Sequence, residues 1–188
     1  WECAGVSEID KFPSAVLKHH YPEVRNYGDF TTIAKGQGRR PDDVDLLVGG
    51  TPCQTFSVAG LRAGLDDPRG NLALEFLALA DRLRPRWVVW ENVPGVLSSI
   101  TDDAPDAVPP DDNMDMGQGD ELVVEDEYDC EETHAFACFL AGLAELGYGF
   151  AYRVLDAQWF GVPQRRRRVF VVGYRGDWRP PAAVLLER

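Results

Sequence analysis

The amino-acid sequence predicts an α/β fold, a doubly wound and mostly parallel sheet. Short apolar runs at 45–49, 87–90 and 169–172 alternate with stretches of helical period at 10–20, 71–84 and 133–146. Pro22, Pro85 and Gly147 sit where each helical stretch should stop. Polar residues of chemical interest fall at the borders of the apolar runs, where sheets of this kind keep their sites.

Taken in order, Cys3 to Val6 is expected to be a strand with Glu8 at its carboxyl end, and Asp10 to His20 a helix ended by Tyr21-Pro22. Asp45 to Gly49 is bounded by an acidic turn and glycines, the pattern of a strand buried on both faces. Asn71 is a suitable N-cap for a helix through Arg84, with Leu72, Phe76, Leu77, Ala80 and Leu83 on one face. Trp87 to Trp90 is the next strand. Thr133 to Leu146 repeats the helical pattern, and strands follow near Phe150 to Leu155 and Arg168 to Tyr174.

Composition narrows the class. At 188 residues and 45% hydrophobic content the chain can build one core, and no apolar run approaches the length of a membrane span. With no signal segment in view, a soluble cytoplasmic protein without membrane association is expected. Cys3, Cys53, Cys130 and Cys138 form no Cys-x-x-Cys pair and have no histidines at ligand spacing, so neither a metal site nor a disulfide is expected. Cys3 and Cys138 read as small buried apolar residues.

The net charge of -12 is unevenly spread. Residues 101 to 132 hold 14 of the 31 acidic side chains and no Lys or Arg, leaving 17 acidic against 19 basic elsewhere. That segment is also rich in Pro and Gly, so it reads as a mobile acidic insertion between a first part, 1–100, and a second, 133–188.

The chemistry-bearing residues lie in three clusters. Cys53 follows the 45–49 run on a turn made by Gly49, Gly50 and Pro52; a thiol so placed is a candidate nucleophile. Glu91-Asn92-Val93 follows Trp87 to Trp90, and Gln164 to Arg168 precedes Val169 to Val172.

Pro52-Cys53-Gln54, Glu91-Asn92-Val93 and Gln164-x-Arg166-x-Arg168, in this order, make the chain resemble the DNA cytosine-5 methyltransferases. The resemblance continues through Ser7 to Lys11, Gly28-Asp29-Phe30, Leu146-Gly147-Tyr148 and Gly161 to Gln164. It implies a Rossmann-like class I S-adenosylmethionine-dependent methyltransferase fold, incomplete here, with one late strand antiparallel to the others. The glycine-rich loop that opens such domains and the target-reading domain are not found.

By that resemblance Cys53 attacks carbon 6 of cytosine, Glu91 assists at the ring's N3, and Arg166 and Arg168 lower the thiol's pKa and orient the base. Glu8 is implied for the ribose of S-adenosylmethionine, Asp29 for the adenine amino group, and Ile9 and Phe30 for the adenine faces. Pro52 and Leu72 would line the same pocket. Gln54, Ser57, Gln164 and Arg165 are implied to contact double-stranded DNA, with residues 56 to 69 closing over a flipped base. A bacterial or phage origin and a complementary polypeptide bringing the missing loop and recognition domain are expected. The motifs leave room for an RNA cytosine-5 methyltransferase and for a non-catalytic DNA-binding remnant.

Overall fold

The computed structural model describes residues 1–51, 72–97 and 135–186. The loop expected to close at 56–69 and the acidic insertion at 101–132 lie outside the described residues. So do Cys53 and its neighbours.

The order is α1 (Lys11–His20), α2 (Phe30–Ala34), β1 (Leu46–Gly50), α3 (Leu72–Leu83), β2 (Trp87–Asn92), α4 (Ala135–Glu145), β3 (Tyr148–Asp156), β4 (Arg167–Arg175) and α5 (Arg179–Leu186). The strands form one sheet, β1-β2-β4-β3. β1 and β2 are parallel, while β4 is antiparallel to both β2 and β3. Three strands therefore run one way and β4 alone is reversed, which is the expected doubly wound sheet with a single antiparallel strand.

Local sequence explains most of the boundaries. Asp10 caps α1 by accepting from the Phe12 amide at 2.9 Å. Gly147, at φ +82, closes α4 in the left-handed region, where a Cβ would be strained. Prolines 180 and 181 occupy the first turn of α5, where missing amide donors cost nothing; this helix was not foreseen because prolines suggest a break. The short α2 also escaped expectation, its start set by Asp29, which accepts from the Thr31 amide at 2.9 Å.

The core lies on one side of the sheet. Phe76 and Leu77 of α3 and Phe136, Phe139 and Leu143 of α4 pack on Val88, Trp90, Val169 and Val171. The Trp90 and Phe139 rings are 4.4 Å apart. On the opposite side α5 lies so close to β3 that a Cβ on Gly149 would meet the Asp177–Trp178 backbone at 2.3 Å.

Four expectations need correction. Cys3 to Val6 forms no strand; only Val6 bridges, to Asn26. β1 is not buried on both faces, since Val48 is 63% exposed. Phe76 of α3 covers the Gly49 side only. β2 extends through Asn92, so Glu91 and Asn92 are strand residues rather than a following loop. Cys3 is exposed and Cys138 half-buried, so neither is fully buried. No helix among the described residues is long and apolar enough to cross a membrane.

Tyr148 ties β3 to the end of α3, its hydroxyl donating to the Pro85 carbonyl at 2.7 Å. Burial pushes its pKa up, more than the hydrogen bond and charge of Arg175 pull it down. A raised folded-state pKa contributes stability that is present below about pH 10 and lost as pH rises through the folded value. Tyr148→Phe is expected to cost about 1 kcal/mol at neutral pH and to flatten the alkaline decline, as read by urea unfolding between pH 8 and 11.

Candidate active site

Reversal of β4 brings its first residues beside the last residues of β2. Glu91 is paired with Phe170 and Asn92 with Val169, so Arg168 lies one step beyond Asn92 at the sheet's rim. Alternation along β2 and β4 then sorts the side chains. Val88, Trp90 and Asn92 share the core face with Val169 and Val171, and all five are buried. Glu91 and Arg168 share the other face.

There they form an ion pair, Arg168 Nε to Glu91 Oε1 at 2.9 Å. The side chains keep 23% and 33% of their exposure, so the pair is reachable from solvent. Nη1 of Arg168 is turned back onto the Arg167 carbonyl at 2.7 Å, which leaves Nη2 without a partner among the described residues. Glu91 faces Gly50 of β1, its register partner, and a Cβ there would stand 3.0 Å from Glu91 Oε2. The glycine keeps this carboxylate's second oxygen clear.

Asn92 serves the core side of the same rim. Its Nδ2 donates to the Thr51 carbonyl at 2.9 Å and its Oδ1 accepts from the Val93 amide at 2.8 Å. Trp90 Nε1 donates to Thr51 Oγ1 at 3.2 Å. Thr51 is thus gripped at both carbonyl and hydroxyl just before Pro52-Cys53. The sequence pointed to the Glu91-Asn92-Val93 cluster but not to this division of labour.

Arg166 is not brought into the pair. Its side chain is exposed, as are those of Gln164, Arg165 and Arg167. Arg165, Arg166 and Arg167 have no salt bridge among the described residues. Beside them Trp159 and Phe160 are exposed at 79% and 66%. Asp156, at the end of β3, accepts from the Arg166 amide, a contact the sequence did not suggest.

A cleft of about 1030 Å³ runs along β1 and is lined by Phe30, Ile33, Gly49, Gly50, Thr51 and Phe76, among others. Of the residues implied for a cofactor, Phe30 lines it, and Glu8 and Asp29 follow and precede the lining residues Ser7 and Phe30. Ile9 is 77% exposed, and Leu72 opens α3, half-buried and outside the cleft lining. Pro52, Gln54 and Ser57 lie outside the described residues.

Glu8 is held in place by a residue the sequence did not single out. Asn26 Oδ1 accepts from the Glu8 amide at 3.0 Å and its Nδ2 donates to the Glu8 carbonyl at 3.0 Å. Glu8 Oε1 accepts from the Asp10 amide at 2.8 Å, and Oε2 has no partner among the described residues. The cleft's volume, an aromatic wall at Phe30 and this free carboxylate oxygen fit a nucleoside-bearing cofactor.

Comparison with known proteins shows the family and the fold. The family model of C-5 cytosine-specific DNA methylase matches residues 1–104 and 124–185. A protein of Escherichia phage P1 named DNA N-6-adenine-methyltransferase is 42% identical over all of this chain, which spans 28% of that protein. The Type II methyltransferase M.AquIA of Picosynechococcus is 37% identical, covering 79% of this chain and 52% of its own. Spodoptera frugiperda DNMT2, in a mutant crystal structure, superposes with a TM-score of 0.57 at 22% identity, over 94% of this chain and 43% of that one. The last likeness concerns the fold.

Asn92→Ala leaves the buried Thr51 carbonyl and Val93 amide without these partners. It is expected to cost about 1–3 kcal/mol by urea unfolding. Asn92→Asp sets a carboxylate oxygen against the buried Thr51 carbonyl and should cost at least as much as Asn92→Ala at neutral pH.

Proposed function

Because the chain belongs to the C-5 cytosine-specific DNA methylase family, we propose that it works within an enzyme that methylates carbon 5 of cytosine in double-stranded DNA. The observation that carries this reading is the Glu91–Arg168 pair, solvent-reachable and beside the anchored Thr51.

The proposed roles follow from what each group can do. Carbon 5 of cytosine is a weak nucleophile, and addition of the Cys53 thiolate at carbon 6 makes it an enamine carbon. Glu91 shares a proton with N3 as electrons move onto the ring, and Nη2 of Arg168, which has no partner among the described residues, donates to the base's O2. S-adenosylmethionine supplies the electrophilic methyl group. Methyl transfer leaves S-adenosylhomocysteine; loss of the carbon 5 proton to a water molecule and expulsion of the thiolate from carbon 6 then restore the aromatic ring and the enzyme.

Glu8 would accept from the ribose hydroxyls through Oε2, with Asp29 at the adenine amino group, Ile9 and Phe30 on its faces, and Pro52 and Leu72 nearby. The edge of β1 beside the cleft, unpaired among the described residues, would take a complementary segment that completes the cofactor wall, on the same chain or on another polypeptide. The exposed Arg165, Arg166 and Arg167, without a salt bridge among the described residues, suit phosphate contacts, together with Gln164, Gln54 and Ser57.

The phage P1 relative's name supports a second reading, methylation of the adenine exocyclic amine. An exocyclic amine attacks a sulfonium methyl without prior covalent activation, so a thiol would be idle there. An RNA substrate is the other alternative.

Three substrates separate these readings: duplex DNA, the same duplex with 5-fluorocytosine, and tRNA, each with S-adenosylmethionine. Nucleoside analysis after reaction with duplex DNA is expected to give 5-methylcytosine and no N6-methyladenine. Fluorine blocks the final elimination, so a protein–DNA adduct should accumulate and disappear in Cys53→Ala. N6-methyladenine without an adduct would overturn the cytosine reading, and modification of tRNA alone would move it to RNA.

A further inference from the structure

The connection between β3 and β4 delivers Arg168 to Glu91, and its shape depends on one side chain. Asp156 is the last residue of β3 and pairs with Arg167 of β4. Its Oδ1 accepts from the Gln158 amide at 3.3 Å and from the Arg166 amide at 3.0 Å, and its Oδ2 accepts from Gln158 Nε2 at 2.8 Å. The backbone seals the same point, with the Ala157 amide donating to the Arg166 carbonyl at 3.1 Å.

An Asx turn that starts a short helix needs only the Gln158 contact. The bond to Arg166 is different in kind, because it joins the two ends of the 157–166 connection through one carboxylate. Arg166 is two residues before Arg168. Freeing its amide would let the first residues of β4 leave the β3 ladder, and the Arg168 guanidinium would lose its register against Glu91.

We propose that Asp156 is a positioning residue for the candidate site, a clamp that fixes the entry of β4 so that Arg168 engages Glu91. The clamp persists across the physiological range. Partial dehydration would raise the Asp156 pKa, but hydrogen bonds from Gln158 and Arg166 and the charge of Arg167 outweigh it and hold the carboxyl below its ordinary value. The clamp's role in methyl transfer rests on the reading of Glu91 and Arg168 as active-site groups.

Hydrogen exchange by NMR on the full chain tests it, following the Arg166 amide and the Arg168 Nε–H. In Asp156→Ala both are expected to exchange roughly tenfold faster, with the melting temperature little changed. Asp156→Asn keeps a carbonyl oxygen for both amides and should restore slow exchange. If Asp156→Ala releases Gln158 and Arg166 but leaves Arg168 Nε–H protected, the residue is a local cap and the proposal fails.

The 5-fluorocytosine adduct gives the functional arm. Where the wild-type chain forms it, Asp156→Ala should form it roughly tenfold more slowly, and equal rates would overturn a catalytic consequence. Where the wild-type chain alone forms no adduct, the exchange measurement decides the clamp.

Discussion

The site depends on one topological constraint, the reversal of β4 between β2 and β3. Were β4 parallel to β2, its first residues would lie at the far end of the sheet from Glu91. Reversed, it places Arg168 one residue beyond the Asn92–Val169 pair, on the face that also carries Glu91. The ion pair follows from direction and register. Its half-open setting means that it contributes at most about 1 kcal/mol to stability. What it fixes is the position of a carboxylate and a guanidinium, and the fold around it holds whether or not the pair forms.

Stability resides on the other face of the same strands. Alternation gives Val88, Trp90 and Asn92 to the core and Glu91 to the rim, so one six-residue strand serves both. Asn92 is the link between them. It is a buried polar group, costly unless bonded, and its bonds run to Thr51 and Val93, both at the turns that border the site. The buried network therefore sets where the chain leaves β1 toward Cys53.

Much of this was legible in the sequence. Apolar runs and stop signals located β1 to β4 and three of the helices, because hydrophobic period and proline or glycine punctuation act locally. The Glu91-Asn92-Val93 cluster and the arginine run were visible as polar residues at strand borders. The N-terminal strand was not borne out, because Val6 meets a neighbour only at Asn26, and alternation in a short segment cannot tell a strand from a single bridge. The exposure of Val48 was equally hidden, since whether a face is covered depends on elements far away in the chain.

Asn26 and Asp156 escaped for a related reason. Both look like ordinary turn residues, the commonest use of Asn and Asp, and local sequence offers nothing more. What distinguishes them is a second, distant partner: Glu8 for Asn26 and the Arg166 amide for Asp156. A carboxamide or carboxylate that bonds only to its own turn shapes that turn. One that also bonds across the fold transmits position, and at both places the position transmitted is that of a candidate site residue. The candidate site residues are thus held by side chains outside the candidate site, through main-chain groups whose partners no motif records.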